Sequence, residues 1–151
     1  MNNKIEIYNL NRRKMVIGSI IGFGIWQGTR TFISLFPNVE SAKSIHHTII
    51  FIGLIGWGYW SFYLFKMLKV SRELKQNSVL AEALNDEFYQ YIRTKSFAFA
   101  FWIVMIIQCV IFFVNMFHPL AVDAIFNLNI LTGVLSSLLA FIIFDGEQTD
   151  E

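Results

Sequence analysis

Cysteine, proline and charge are all scarce in this chain. Of its 151 residues one is cysteine, two are proline and 15% are charged. The lone Cys109 excludes an intrachain disulfide and a Cys-x-x-Cys pair, and with them thiol-redox membrane enzymes; in the middle of an apolar run it is expected to be a buried thiol that packs like a small apolar residue. Pro37 and Pro119 both sit in short connections, 37–47 and 118–124, outside the long apolar runs. With 55% hydrophobic residues and a mean hydropathy of +0.51, a soluble domain of this size would have too few charges to cover its surface. The excess apolar surface needs lipid.

Other absences narrow the chemistry. No carboxylate lies deep in an apolar run, which removes the central requirement of a small proton-coupled drug exporter, a group that alternately binds a proton and a cationic drug. There is no His-x-x-x-His pair, no Ser-His-Asp ordering and no glycine-rich phosphate loop, so enzyme chemistry, a cofactor and a metal centre are not expected. A formal net charge of +1 carries no message about nucleic acid.

What is present is four apolar stretches, residues 15–36, 48–68, 97–117 and 125–144. Each reaches the roughly 20 residues needed to cross the hydrocarbon core. They predict an all-α polytopic membrane protein, a single domain over 1–151, with four transmembrane helices in an antiparallel bundle. The first stretch contains Gln27, Thr29, Arg30 and Thr31. An arginine at a helix centre costs about 2.5 kcal/mol on insertion scales and less near the end, so a surface-lying first helix is the alternative. A cleaved signal peptide fits less well, because no small-residue cleavage site follows and three further spans come after.

Lys4, Arg12, Arg13 and Lys14 precede the first span, and Lys66, Lys69, Arg72, Lys75, Arg93 and Lys95 lie between the second and third. Basic residues near span ends stay on the cytoplasmic side, so both termini and the central connection are expected there, in the cell (inner or plasma) membrane. The acidic end, Asp145, Glu147, Asp150 and Glu151, does not disturb this, since carboxylates contribute little to the rule.

The central connection, 69–96, reads as a helical hairpin. Val79, Leu80, Ala83, Leu84, Phe88, Tyr91 and Ile92 recur at helical spacing against a charged back of Glu82, Asp86, Glu87 and Arg93, with Asn77 or Ser78 as N-cap. Three readings of it stand side by side: an amphipathic stripe packed on its partner helix or the bilayer interface, a docking surface centred on those four charges, and a ligand site.

Inside the spans the informative residues are Gln27 and Arg30, Gln108 and Asn115, and Asp123, Asn127 and Asn129. They form a layer from the midplane outward. One reading is hydrogen-bonding glue between helices; the other is an outward-opening polar cavity or pore with Arg30 as its charge and Asp123 as counter-ion. Gly18-x-x-x-Gly22, Gly24-x-x-x-Gly28, the cluster Gly53, Gly56 and Gly58, and the row Asn129, Gly133, Ser137 mark close helix approach. Aromatic residues toward the cytoplasmic ends of spans two and three form an interfacial belt. His46, His47 and His118 lie at the outer face, where with Asp123 they offer a metal or pH-sensing cluster as the alternative to ordinary loop positions.

The stretch Asn85-Asp86-Glu87-Phe88-Tyr89-Gln90-Tyr91-Ile92-Arg93-Thr94-Lys95-Ser96, followed by an aromatic-rich span, resembles a pattern in small uncharacterised prokaryotic four-helix membrane proteins. That pattern is an acidic pair, then Ile, Arg or Lys, and a small residue entering the third span. Those proteins usually place Arg directly after the acidic pair, where this chain has Phe88. The resemblance implies four spans and no activity. The expected function is a non-enzymatic membrane protein that works through self-assembly, as a homo-oligomer, or through a membrane or cytosolic protein partner. A bacterial stress, defence or signalling accessory would fit, and a small channel or transporter subunit is the alternative.

Overall fold

A computed structural model describes residues 2–37, 43–76 and 87–146. The molecule is all-helical: α1 (Asn2–Leu35), α2 (Lys43–Gln76), α3 (Glu87–Phe117) and α4 (Val122–Gly146). The hairpin residues 77–86, including Glu82 and Asp86 and the N-cap candidates, lie outside the described residues, as does most of the apolar stripe. Of that stripe's last members, Tyr91 is exposed and Ile92 is buried.

Three of the four helices are long and apolar enough to cross a membrane: Lys43–Arg72, Gln90–Phe117 and Val122–Asp145. The first of the four expected segments, within α1, is not among these three. At 34 residues α1 is amply long, but glycines and the polar run Gln27 to Thr31 dilute its apolar stretch. Its position supplies the physical reason why this is tolerated. α1 packs against both α2 and α4, α4 also packs against α3, and no other pair of helices shares an extended interface among the described residues. The order of contact is therefore α2–α1–α4–α3, with α1 and α4 inside. Ser19, Gln27 and Thr31 of α1 are buried, so its polar side chains meet protein rather than lipid.

Within each packed pair residue numbers rise on one helix as they fall on the other. Gly18 faces Tyr63, Gly22 faces Trp60 and Gly53 faces Thr29 between α1 and α2. Arg12 meets Asp145 and Gln27 meets Asn127 between α1 and α4, while Phe99 meets Phe144 and Gln108 meets Asn129 between α3 and α4. The outer surface is apolar: Phe51, Phe65, Phe112 and Phe117, among many, are more than half exposed. A folded protein in water rarely shows so large a continuous apolar surface, and a bilayer removes the penalty.

The α1–α2 seam depends on glycine. A Cβ at Gly22 would sit 2.6 Å from the Trp60 backbone nitrogen, and one at Gly56 would sit 2.8 Å from that of Trp26. Backbone cannot yield as a side-chain tip can. The approach lets Trp26 stack on Trp60, with ring centroids 5.1 Å apart and planes 20° from parallel, and brings Phe23 to 5.4 Å from Trp60. Gly28 and Gly58 have open space where a Cβ would go.

Gly22→Ala and Gly56→Ala are each expected to destabilise the protein by about 1–3 kcal/mol, the usual cost of overpacking a fitted seam. Gly28→Ala and Gly58→Ala, which gain helix propensity and meet nothing, should be neutral or slightly stabilising. Thermal unfolding in detergent distinguishes the two pairs; equal behaviour of all four variants would mean the seam is not close-packed.

Candidate functional site

α1 ends where Pro37 disfavours helical backbone at Phe36, and α4 starts at Val122 after the Pro119 turn. These two ends lie beside each other, because α1 and α4 are paired along their length. Asp123 falls in the first turn of α4, where the positive end of the helix dipole favours a carboxylate. At the turn itself the Leu120 N–H donates to Asn115 Oδ1 at 2.7 Å. Asn115 therefore serves to close the α3–α4 connection and is exposed there, apart from the remaining polar residues.

Between α1 and α4 the buried amides meet. Gln27 Nε2 donates to Asn127 Oδ1 at 3.0 Å and approaches the Asn127 carbonyl at 3.4 Å. Asn127 Nδ2 donates to Ser34 Oγ at 2.9 Å, and Ser34 Oγ donates in turn to the Arg30 carbonyl at 3.0 Å. Thr31 Oγ1 donates to the Gln27 carbonyl at 2.8 Å. The network is internally satisfied, which is what a low-dielectric setting demands of polar groups. Ser34 was not among the residues singled out from the sequence. Its signal is positional, since residues 27, 31 and 34 recur at helical spacing and share one face of α1.

Beside this network opens a cleft of ≈ 530 Å³ lined by Trp26, Gln27, Arg30, Ile33, Ser34, Asp123, Phe126, Asn127 and Ile130. Four of the residues expected in the polar layer therefore share one site: Gln27, Arg30, Asp123 and Asn127. Gln108 and Asn129 do not reach it, because they hydrogen-bond to each other across the α3–α4 seam. Arg30 and Asp123 are both exposed and line the same cleft, but they stand beyond ion-pair distance, so the expected counter-ion contact is not formed. The Arg30 guanidinium lies 6.0 Å from the Trp26 ring centre.

The opposite end of the molecule carries an ion pair that the sequence reading missed. Arg12 Nη2 donates to Asp145 Oδ1 at 2.6 Å, with both side chains largely buried. Arg12 also lies 5.3 Å over the Phe141 ring, and Lys95 Nζ lies 4.2 Å over Phe144. α1 and α3 thus each place a cation against the C-terminal turn of α4, where the helix dipole is negative.

The other candidates separate. His46 and His47 have ring centroids 6.3 Å apart, but with His118 and Asp123 they do not assemble, and among the described residues no three His, Cys, Asp or Glu side chains are grouped to hold a metal ion. Of the charged set read as a partner surface, Arg93 is exposed on α3, Glu87 opens that helix, and Glu82 and Asp86 are outside the described residues.

Asn127→Leu is expected to cost about 1–2 kcal/mol, since interhelical hydrogen bonds in membranes average about 0.6 kcal/mol and this residue makes several. The double variant Gln27→Leu/Asn127→Leu should be less destabilised than the sum of the single variants, because it leaves no amide stranded. Denaturant unfolding in mixed micelles measures this; strict additivity would remove the coupling. No family model matches the chain, and no curated protein or solved structure is found similar to it.

Proposed function

We propose that the chain is a four-span protein of the cell (inner or plasma) membrane that works without enzymatic chemistry, by assembling with itself or with a protein partner. A bacterial stress, defence or signalling accessory would act in this way. Both termini and the helical hairpin 69–96 face the cytoplasm in this reading. The pairing of α1 with α2 and α4 supports its membrane placement, since a helix held along its length by two apolar helices enters the bilayer with them. Orientation is supported by the gathering of Arg12, Lys66, Lys69, Arg72 and Lys95 at one end of the molecule.

The observation that carries the assembly reading is the open order of the helices. α3 leans on α4 alone and α2 on α1 alone among the extended contacts, and their remaining faces are apolar and broad. Van der Waals packing with another helix is then available on either flank, and Glu82, Asp86, Glu87 and Arg93 would give the cytosolic contact its charge pattern. The cleft favours a second reading, a small channel or transporter subunit. Against a path through a single chain, the Gln27–Asn127 amides close the seam immediately beneath the cleft.

In a Cys109→Ser background, His118→Cys is expected to react with a membrane-impermeant maleimide on intact cells and Ser71→Cys only after permeabilisation; the reverse pattern overturns the orientation. Mass measurement in nanodiscs should give a dimer or larger species, which the double reversal Asp86→Lys/Glu87→Lys shifts toward monomer. A wild-type monomer in nanodiscs, together with a liposome conductance lost in Arg30→Ala, would move the assignment to the channel.

A further inference from the structure

The cleft at the ends of α1 and α4 is lined by one cation, Arg30, and one anion, Asp123. Among the described residues the Arg30 guanidinium meets no hydrogen-bond acceptor and the Asp123 carboxylate meets no donor, although both line the same ≈ 530 Å³ space. This contrasts with Arg12 and Asp145, which join directly at 2.6 Å. The polar floor below them is already satisfied, since Gln27, Asn127 and Ser34 bond to one another. New polar contacts therefore fall to the two charges at the rim. The same cleft is lined by two aromatic rings, Trp26 and Phe126, and two aliphatic side chains, Ile33 and Ile130.

A ligand with a single charge would neutralise one side of this cleft and leave the other exposed to it. A molecule carrying an anion and an ammonium on a short linker would neutralise both, with the anion at Arg30 and the ammonium at Asp123, where Trp26 and Phe126 add ring faces that attract cations. Depth points to the same class. Counting from Arg12 at the inner end, Arg30 lies 18 residues along α1, about 27 Å, and Asp123 lies 22 residues before Asp145 on α4, about 33 Å. With a hydrocarbon core of about 30 Å, both charges fall at the outer headgroup level, and the apolar walls lead from there toward the acyl region.

We infer that the Arg30–Asp123 cleft is a binding site for a phosphoethanolamine group, a phosphate joined by a short linker to an ammonium, carried by an outer-leaflet lipid or by a free solute. The inference rests on the outward placement of this end of the molecule, which the labelling of His118→Cys reports separately, and it does not rest on self-assembly.

Full-length protein in maltoside micelles is titrated calorimetrically with dihexanoyl phosphatidylethanolamine, dihexanoyl phosphatidylglycerol and free phosphoethanolamine. The wild type should prefer the ethanolamine lipid over the glycerol lipid by about ten-fold or more, the scale of one charge-assisted contact. Asp123→Asn should erase that preference without weakening the glycerol lipid. Arg30→Gln should weaken both lipids by about ten-fold, while Arg30→Lys keeps most of the affinity, separating lost charge from lost fold. Competition by free phosphoethanolamine at similar affinity supports a headgroup-only site, and its failure to compete supports a site that also takes the acyl chains; each upholds the zwitterion chemistry. Equal affinity of the wild type for the two lipids, a preference that survives Asp123→Asn, or no binding of either lipid overturns it.

Discussion

The constraint on which the rest of this fold depends is that α1 cannot face lipid all round. Its C-terminal half carries Gln27, Thr29, Arg30, Thr31 and Ser34, and polar groups left in hydrocarbon cost several kcal/mol each. The helix is instead enclosed on two sides. Glycines at 22 on α1 and 56 on α2 let the two helices come close enough for backbone contact, and the amide of Gln27 draws α4 against the other side. Thr29 and Thr31 dispose of their hydroxyl hydrogens by bonding back to carbonyls of their own helix, at Trp26 and Gln27. Only Arg30 is left projecting, and it sits near the helix end where a long side chain can reach the interface.

α4 then becomes the element that joins the two halves. Asn127 and Asn129 are two residues apart, about 200° around a helix at 100° per residue, so one faces α1 while the other faces α3. Each meets a glutamine there, Gln27 on one side and Gln108 on the other. A single tier of amides, within about 3 Å of depth along α4, therefore stitches α1, α4 and α3 together. Such bonds are modest individually, but they are directional in a way that packing against lipid-like side chains is not, and they set the rotation of three helices at once. The α1–α2 pair needs no such bond, because its glycine contacts and the stacked Trp26 and Trp60 already define the register.

Much of this was legible in the chain. Hydropathy marks α2, α3 and α4, since their apolar runs are long and uninterrupted, and the short connections between α1 and α2 and between α3 and α4 each join two helices that pack together. The polar residues of the site were also visible, because an amide in an apolar run is conspicuous. Their partition was not. Sequence spacing places Gln108 and Asn115 on one face, yet Asn115 is past the seam and closes a turn while Gln108 is within it. Pairings between helices depend on rotation and vertical offset, which no single-helix periodicity contains. The Arg12–Asp145 ion pair is the same kind of fact, since its members are separated by 133 positions and each had a sufficient reading as a charge near a span end.

The two ends of the molecule solve the same electrostatic problem in opposite ways. At the end where α4 finishes, cations converge on its C-terminal turn: Arg12 pairs with Asp145, and both Arg12 and Lys95 lie over aromatic rings, where the helix dipole also favours positive charge. That arrangement holds α1 and α3 to either side of α4. At its N-terminal end the same helix brings Asp123 to the cleft that Arg30 of α1 also lines, but the two form no ion pair. A chain that needed these residues only to lock the helices could have joined them as it joins Arg12 to Asp145. Held apart beside a satisfied amide floor, they form no ion pair among the described residues. Among the described residues the charges are therefore paired at one end of α4 and held apart at the other.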